Sequence, residues 1–286
     1  MVAAVLPISV VFLTYNDEQL IDDGLKSVAD WASEIIVVDS GSTDGTLDIV
    51  RRYTAHIAVH PFENYAAQRN WAQANIPLAN EWVFHIDSDE RVTPELYASL
   101  RQLFTGTQLN DIDGILFPRR TVFMGRWMRH GGHYPVYHLR LYRKSRGQCE
   151  ERLYDQHYTV PGAVIKAHGD LIDVISTSLD AWMQRHVRWA GLEVQQQLRA
   201  EVVATQVEGK LTGTPIERRR WLKRFVFGRV PLFTRVFAYF FYRYFLRLGF
   251  LDGTEGLIFH FLQGCWFRFY IDAKLWEARQ AQRNTR

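Results

Sequence analysis

The chain has 286 residues, of which 47% are hydrophobic and 23% are charged, and this composition excludes an intrinsically disordered protein. Its charge is unevenly distributed, because residues 215–286 contain 14 Lys and Arg against 5 Asp and Glu, whereas residues 1–214 contain 20 against 26. An acidic first part and a basic last part indicate two different tasks, with one large domain carrying an appendage.

The first 90 residues alternate short apolar, β-branched runs with helical patterns. Strands are predicted at residues 8–13, 34–38, 57–59 and 82–86. The intervening helices are expected to end near residue 28, near residue 53 and, for a helix that begins at residue 65, near residue 74. Strands that alternate with helices at this spacing predict a parallel sheet covered on both faces.

Polar residues follow three of these strands. Thr14, Tyr15 and Asn16 follow the first, Asp39 begins a loop of small residues after the second, and Asp87 follows the fourth. In an open parallel sheet, ligands lie across the carboxyl ends of the strands, so we expect a binding site there. Neither a Gly-x4-Gly-Lys loop nor a Gly-x-Gly-x-x-Gly fingerprint is present, which counts against ATP hydrolysis and NAD binding.

Two carboxylates, Asp87 and Asp89, come one residue apart directly after a buried strand. A hard divalent cation prefers oxygen ligands and keeps positions for a diphosphate, so this pair suits a metal site. The alternative is a solvated acidic turn ahead of a helix, since Thr93 and Pro94 match an N-cap and a first helical position. The pair by itself leaves both interpretations open.

Four motifs, at residues 9–16, 34–46, 67–70 and 87–90, occur in one order. Together they resemble the nucleotide-sugar half of family 2 glycosyltransferases, and the likeness is greatest to bacterial enzymes of lipopolysaccharide core or capsule biosynthesis. The resemblance implies an α/β GT-A fold, with a Rossmann-like, mostly parallel sheet flanked by helices. It also implies an inverting transfer from a nucleotide-sugar donor, with a UDP-sugar as the default.

The resemblance assigns roles to residues of these motifs. Asp39 would hold the base, Arg69 would approach the diphosphate or donor sugar, and Asp87 would face the ribose. Asp89, with Asp87, would hold Mn²⁺ or Mg²⁺. Without the resemblance, Arg69 would be interpreted as an exposed helix residue. The residues expected to bind the nucleotide sugar are Thr14, Tyr15, Asn16, Asp39, Ser42, Arg69, Asp87 and Ser88.

A segment rich in Arg, Gly and aromatic residues, 119–135, follows a predicted strand at 113–117. Sugars present apolar ring faces to aromatic side chains and hydroxyl or phosphate groups to arginine, so this loop suits an acceptor saccharide, either lipid-linked or part of the cell envelope. An aromatic loop packed on the core is the alternative. The candidate acceptor-binding residues are Arg126, Trp127, His133 and Tyr134.

The transfer needs a carboxylate that takes the proton of the acceptor hydroxyl. We choose Asp155 as this catalytic base, with Glu151 second. Related inverting enzymes place an acid at about this point, usually before a helix, whereas residues 153–158 of this chain look extended. Acids on the surface near a basic strand are the alternative interpretation.

The last part of the chain begins after a helical pattern from 178 to about 208 and a polar break at 210–215. We expect a nucleotide-sugar-binding and catalytic domain over 1–214 and an amphipathic helical extension over 215–286. Basic residues between aromatic ones, as at 218–225, suit an anionic membrane surface. An interface in a homo-oligomer or a helical layer over the sheet is the alternative. Nucleic acid is not an expected partner.

The start of the sequence lacks the pattern of a signal peptide, and the two cysteines, Cys149 and Cys265, match no disulfide framework. We therefore expect a cytoplasmic protein, peripheral on the inner face of the cell membrane. Two other functions stay open from the sequence: a nucleotide-sugar-binding scaffold without catalysis, and a nucleotidyltransferase.

Overall fold

The computed structural model describes residues 4–153, 155–175, 178–200 and 229–284, together with positions 212, 218 and 221. By its internal packing the chain forms two units. The first comprises Met1–Arg120, Val136–Glu151 and Gln156–Thr177, and the second comprises Thr121–Pro135, Arg152–Asp155 and Ser178–Arg286. The predicted boundary between residues 214 and 215 lies outside the described residues, as does most of the basic run at 218–225.

The first four strands alternate with the first three helices, as the sequence predicts. The strands are β1 (Leu6–Thr14), β2 (Ala32–Asp39), β3 (Ile57–Val59), β4 (Trp82–Asp87), β5 (Glu90–Val92), β6 (Ile112–Phe123), β7 (Arg126–Trp127), β8 (Tyr137–Arg143), β9 (Gln148–Cys149), β10 (Tyr158–Thr159), β11 (Ala163–Lys166) and β12 (Leu171–Val174). The helices are α1 (Ile21–Ala29), α2 (Thr46–Val50), α3 (Tyr65–Asn75) and α4 (Pro94–Thr105).

The main sheet has the strand order β3-β2-β1-β4-β8-β6-β12-β5. Its first four strands are parallel, whereas β8 runs antiparallel to both β4 and β6. In the register of β1, Thr14 pairs with Asp39 of β2, and Leu13 pairs with Asp87 of β4. The polar ends of three neighbouring strands therefore lie side by side.

Strand β1 is the centre of the core. Val10 and Phe12 belong to a buried cluster with Leu25 of α1 on one face, and Val11 belongs to a cluster with Ala72 of α3 on the other. Side chains alternate across a strand, so a continuous apolar run such as β1 is stable only when helices cover both faces of the sheet. The predicted GT-A type of α/β fold is confirmed.

Among its described residues, the second unit contains four α-helices in addition to β7 and the end of β6. Its helices are α5 (Leu179–Ala200), α6 (Thr234–Phe241), α7 (Gly253–His260) and α8 (Phe267–Asn284), with π-helical turns at Tyr242–Leu246 and Phe261–Trp266 and a 3₁₀ turn at Gly249–Asp252. Ala190 and Val194 of α5 pack against Phe267 and Ile271 in a buried cluster. The predicted C-terminal helical region is confirmed. Among the described helices, none combines the length and apolar character needed to cross a bilayer.

Candidate active site

The loops after β1 and β2 are joined by hydrogen bonds at the carboxyl edge of the sheet. The backbone N–H of Asn16 donates to Ser42 Oγ at 2.9 Å, and the N–H of Thr43 donates to Asn16 Oδ1 at 2.8 Å. Asn16 has a φ of 53°, a left-handed conformation that asparagine tolerates better than most residues. These hydrogen bonds join the two loops into one continuous surface, which we call the joined rim.

Asp39 lies beneath this rim and is buried. Its Oδ2 accepts the N–H groups of Gly41 at 2.8 Å and Ser42 at 2.9 Å, and its Oδ1 accepts the hydroxyl of Ser42. A carboxylate oxygen has two acceptor positions, so Oδ1 keeps a second one beyond this hydroxyl. Asp39 therefore shapes the loop that carries Ser42, and its Oδ1 retains acceptor capacity.

Asp17 ties the end of β1 to the turn after β4, a role that the sequence did not reveal. Its Oδ2 accepts from Thr14 Oγ1 at 3.0 Å, from the N–H of Tyr15 at 3.0 Å and from Ser88 Oγ at 2.6 Å. The Tyr15 side chain is not covered by this network and is 57% exposed. The ring is accessible to a ligand above the sheet edge.

Asp87 is held by two buried arginines. Arg69 Nη2 lies 2.8 Å from Asp87 Oδ1, and Arg140 Nη2 lies 2.8 Å from Asp87 Oδ2. Burial alone would raise the pKa of Asp87, but the positive charges of Arg140 and Arg69 outweigh burial and hold that pKa well below its usual range. Arg69 is therefore not the exposed helix residue of the alternative interpretation.

Glu90 shares Arg140 with Asp87. Arg140 Nη2 donates to Glu90 Oε1 at 2.9 Å, and the backbone N–H of Asp87 donates to Glu90 Oε2 at 2.9 Å. Burial raises the pKa of Glu90 to about 7, in spite of the attraction of Arg140. The sequence analysis gave no role to either residue. The available signal was a glutamate directly after the Asp-Ser-Asp run and an arginine inside an apolar strand.

His85 lies behind Asp87 on β4, stacked against Tyr142 and Tyr158 with ring centroids 5.8 Å and 5.0 Å away. Both ring nitrogens of His85, and the hydroxyl of Tyr158, are buried without a hydrogen-bond partner. Burial, followed by the charges of Arg69 and Arg140, lowers the pKa of His85 to about 3. The imidazole is therefore neutral and adds no positive charge beside the arginines.

Asp89 is half-buried in the turn after β4, and its backbone carbonyl accepts the N–H of Val174 at 3.0 Å. The described residues hold no cluster of three or more His, Cys, Asp or Glu side chains arranged for a metal ion. Mg²⁺ commonly takes only one or two protein carboxylates and completes its shell with phosphates and water, so the oxygen donors of Asp89 and Asp87 fit such an ion.

The predicted cap of the next helix is confirmed, since Thr93 Oγ1 accepts the N–H of Leu96 at 3.2 Å and Pro94 begins α4. Capping and the acidic pair are thus separate features. Thr93 caps the helix, and Asp87 forms ion pairs within the first unit. A purely solvated acidic turn is therefore the wrong description of Asp87.

The candidate acceptor residues belong to the second unit. Trp127 and Tyr134 meet edge to face with ring centroids 4.9 Å apart, and His133 packs against Phe259 at 4.6 Å. Arg126 Nη1 lies 3.5 Å from Glu255 Oε2. The structure therefore brings Trp127 and Tyr134 together on one loop and places this loop against the C-terminal helices of the same unit.

The two candidate bases fall in different units. Glu151 is exposed at the end of a stretch of the first unit, and Asp155 is exposed in the second. Asp155 has a φ of 57°, and no helix begins among the described residues around it. The segment is held to α5 by the N–H of Leu153, which donates to Gln196 Oε1 at 3.0 Å.

A family model described as Glycosyl transferase family 2 matches residues 9–165, more than half of the chain. The chain belongs to glycosyltransferase family 2. The match includes the joined rim, Asp39, the pair Asp87 and Asp89, and both buried arginines. It ends before the helices of the second unit that follow residue 178.

Among curated relatives, two bacterial glycosyltransferases show the range of similarity. The uncharacterized glycosyltransferase RP128 of Rickettsia prowazekii is 35% identical over 34% of this chain and 33% of its own length. The lipopolysaccharide core biosynthesis glycosyltransferase LpsC of Rhizobium meliloti is 27% identical over 68% of this chain and 73% of its own. The chain spans about a third of the length of the rickettsial relatives that it matches.

Solved structures also align with this chain, and two of them differ in how much of it they cover. TarS of S. aureus aligns over 96% of this chain and 91% of its own, with 17% identity and a TM-score of 0.45. Glucosyl-3-phosphoglycerate synthase of Mycobacterium tuberculosis, solved with Mn²⁺, uridine diphosphate and glucosyl-3-phosphoglycerate, aligns over 41% of this chain and 44% of its own. Its identity is 25% and its TM-score is 0.32.

Proposed function

We propose that this family 2 glycosyltransferase moves a sugar, with inversion, from a nucleotide-sugar donor to a lipid-linked or envelope glycan at the inner face of the cell membrane. The observation that carries the proposal is the register of the sheet, which sets Thr14 beside Asp39 and Leu13 beside Asp87. Ligands of open α/β sheets lie across such strand ends.

The donor nucleotide would lie on the joined rim. Asp39 Oδ1 would accept a base N–H, the exposed ring of Tyr15 would stack on the base, and Asp87 would face the ribose. Thr14, Asn16, Ser42 and Ser88 would shape this surface through the hydrogen bonds described above. Arg69 would place positive charge near the diphosphate or donor sugar. A UDP-sugar is the donor that we test first.

Asp89, with Asp87, would hold Mn²⁺ or Mg²⁺ together with the donor. When bound, such an ion neutralises the charge of the departing diphosphate. The chain's own contribution at this point is the orientation of the two carboxylates. Arg69 and Arg140 fix Asp87, and the turn that carries Asp89 is held by the contact between its carbonyl and Val174.

In the transfer step, an acceptor hydroxyl attacks the anomeric carbon from the side opposite the diphosphate. A new bond forms between this carbon and the acceptor oxygen, the bond to the phosphate oxygen breaks, and the nucleoside diphosphate leaves. Asp155, or Glu151 as the second choice, would take the hydroxyl proton. Arg126, Trp127, His133 and Tyr134 would bind the acceptor, and the name of the relative LpsC supports a lipopolysaccharide-type acceptor.

A donor panel tests the donor site. Purified protein is incubated with UDP-, GDP-, CMP- and dTDP-sugars, with and without Mn²⁺ or Mg²⁺, and thermal stabilisation and nucleoside diphosphate release are measured. We expect one donor to stabilise the protein only with metal, and Asp89→Ala to lose this effect. Asp111→Asn, an exposed acid of the same unit, is the matched control.

Three other outcomes of the panel would contradict the proposal. Tight donor binding with no turnover, even with membrane extracts as the acceptor source, would indicate a non-catalytic binding protein. Pyrophosphate release from a nucleoside triphosphate would indicate a nucleotidyltransferase. Equal behaviour of wild type and Asp89→Ala would remove the acidic turn from the site.

A second experiment tests the base. Asp155→Asn and Glu151→Gln keep the shape of each side chain and remove its ability to accept a proton. We expect the variant that lacks the catalytic base to lose about 10²-fold or more in turnover. Its stabilisation by the donor should be unchanged. Full turnover in the double variant would show that neither acid is the base.

A further inference from the structure

A group of large apolar side chains in the second unit is exposed to solvent. We call this group the apolar face: Phe237, Phe241, Phe245, Leu246, Phe250, Leu251 and Phe261. Each member is at least 43% exposed, and Leu246 reaches 64%. Scattered exposed apolar residues are normal on proteins, but contiguous groups mark interaction surfaces.

The apolar face is continuous. The rings of Phe241 and Phe245 lie 5.0 Å apart, Phe245 contacts Tyr244 at 5.1 Å, and Tyr244 contacts Phe250 at 6.3 Å. Phe237 precedes Phe241 by four residues on α6, and this spacing places both on one side of the helix. The segment at 237–250 therefore presents a connected aromatic surface.

The segment that carries all of the apolar face except Phe261 has charges of one sign. Residues 229–251 contain four arginines and no Asp or Glu. Arg235 is neutralised by a buried ion pair with Asp272, whereas Arg247 is exposed between Leu246 and Leu248. An apolar surface with exposed cations and without acids in its own segment is complementary to an anionic lipid surface.

We propose that the apolar face inserts into an anionic membrane leaflet. This docking presents the loop at residues 126–134, called the acceptor loop, to saccharides carried by lipids in the same leaflet. The presentation of the acceptor loop rests on the proposed glycosyltransferase function, whereas the insertion of the apolar face does not. The surface that contacts lipid is thereby assigned to residues 237–251 and the Phe261 ring, rather than to the whole C-terminal region.

The acceptor loop is fastened directly beside the apolar face within the second unit. His130 donates from its backbone N–H to Asp252 Oδ2 at 3.0 Å, and its Nδ1 lies 2.6 Å from Asp252 Oδ1. The N–H of Gly131 donates to the carbonyl of Arg247 at 2.8 Å. Asp252 follows Leu251 directly, and Arg247 lies between members of the apolar face.

Close packing makes this attachment specific. A Cβ atom on Gly131 would lie 2.0 Å from the ring of the buried His260, and Gly131 has a φ of +66°. A larger residue is therefore excluded both by space and by backbone conformation. Trp127 and Tyr134 belong to this same loop, so lipid contact by the apolar face also brings them towards the lipid headgroups.

Vesicle binding tests the insertion of the apolar face into lipid. Full-length protein is sedimented with vesicles of phosphatidylglycerol and phosphatidylcholine, and the variant Phe237→Ser/Phe241→Ser/Phe245→Ser is compared with wild type. We expect the partition coefficient of the variant to fall about tenfold or more, because burial of even one such ring is worth that factor. Trp276→Ser, an exposed aromatic of α8, is the matched control and should bind as wild type does.

Two results would overturn the lipid assignment. Equal binding of the triple variant and the wild type would show that another surface contacts lipid. A dimer in sedimentation velocity that the triple variant abolishes, without vesicle binding by either protein, would assign the apolar face to a second copy of this chain. Far-UV circular dichroism confirms that the variants are folded.

Amide hydrogen exchange tests the presentation of the acceptor loop without any need for a sugar acceptor. Addition of phosphatidylglycerol vesicles to wild type is expected to slow exchange at residues 237–251 and also in the loop at 126–134. Protection confined to 237–251 would overturn the presentation of the loop and leave docking intact. Because donor-induced stabilisation is measured separately, failure of docking and failure of the glycosyltransferase proposal are distinguishable.

Discussion

Arg140 is the buried cation that joins two acids of the first unit, since it donates to both the half-buried Asp87 and the buried Glu90. Arg140→Met keeps most of the apolar contacts of the side chain but leaves two carboxylates with one cation fewer. We expect a loss of about 3–5 kcal/mol in the free energy of unfolding, the usual cost of breaking a buried ion pair from one side. Urea denaturation at neutral pH measures it.

The matched variant Arg140→Met/Glu90→Gln also replaces the carboxyl of Glu90. It should lose about as much stability as Arg140→Met alone, because loss of the attraction of Arg140 raises the pKa of Glu90 further and leaves a neutral carboxyl there at neutral pH. A clearly smaller loss in the double variant would mean that Glu90 stays charged when Arg140 is removed.

Glu90 also gives the first unit a specific pH dependence. Its pKa is raised to about 7 in the folded chain, whereas that of an ordinary glutamate is 4.5, so the folded state holds a proton that the unfolded state has released between these values. Stability from this group is present at low pH and is lost as the pH rises towards 7. Asp87 has a lowered pKa, so its contribution changes only at more acidic pH.

We therefore expect the stability of wild type relative to Glu90→Gln to fall between about pH 4.5 and about pH 7 and to change little above that. Denaturation of both proteins at several pH values measures the difference, and histidines common to both cancel. A difference that rises with pH would show that the attraction of Arg140 outweighs burial and that the pKa of Glu90 is lowered instead.

Individual site residues were predictable to the extent that a strand end fixed their location. Thr14, Asp39 and Asp87 follow apolar runs, so the carboxyl edge of the sheet could be assembled from sequence alone. Arg140 lies within an apolar strand, and its partners come from a turn 50 residues earlier in the chain. No local pattern encodes that pairing, because the antiparallel placement of β8 beside β4 creates it.

At the level of elements, two turns offer a comparison of backbone strain with and without steric conflict. Gly41 and Gly169 share a φ of +94°. A Cβ atom on Gly41 would meet nothing within 4 Å, whereas one on Gly169 would lie 2.1 Å from the backbone nitrogen of Leu96. The first turn lies in the loop that carries Ser42, and the second holds the start of β12 against α4.

Gly41→Ala should therefore cost about 1–2 kcal/mol, the penalty of a left-handed backbone for a residue with a Cβ atom. Gly169→Ala should cost about 3 kcal/mol or more, because overpacking against rigid backbone is added to that penalty. Thermal and urea unfolding of the two variants measure the difference. Similar values for both would indicate that α4 moves to make room.

The elements were largely predictable, and their grouping was not. Periodicity and turn residues place β1 to β4 and the cap of α4 to within a few residues, because these signals are local. The second unit combines the loop at 121–135 with helices more than 40 residues later. Contacts such as that between His130 and Asp252 join segments with no shared pattern, so composition alone suggested a boundary at a polar break.

At the level of the whole molecule, charge and apolar surface make separable contributions to membrane docking. Each exposed cation near an anionic leaflet contributes about 1 kcal/mol to the free energy of membrane binding. Salt screens this attraction, because the Debye length falls from about 10 Å at 0.1 M to about 3 Å at 1 M. Burial of aromatic side chains is not screened. The two contributions should therefore respond to salt in different ways.

We expect binding to phosphatidylglycerol vesicles to fall with salt to a plateau above zero, and binding to phosphatidylcholine vesicles to match that plateau at every salt concentration. The triple variant Phe237→Ser/Phe241→Ser/Phe245→Ser should keep the part that salt removes and lose the plateau, because it retains the exposed Arg229 and Arg247 and lacks three exposed rings that lipid would bury. Co-sedimentation across the salt series measures both parts. Complete release of wild type at high salt would leave only charge as the attachment, and the exposed aromatic side chains would then need another partner.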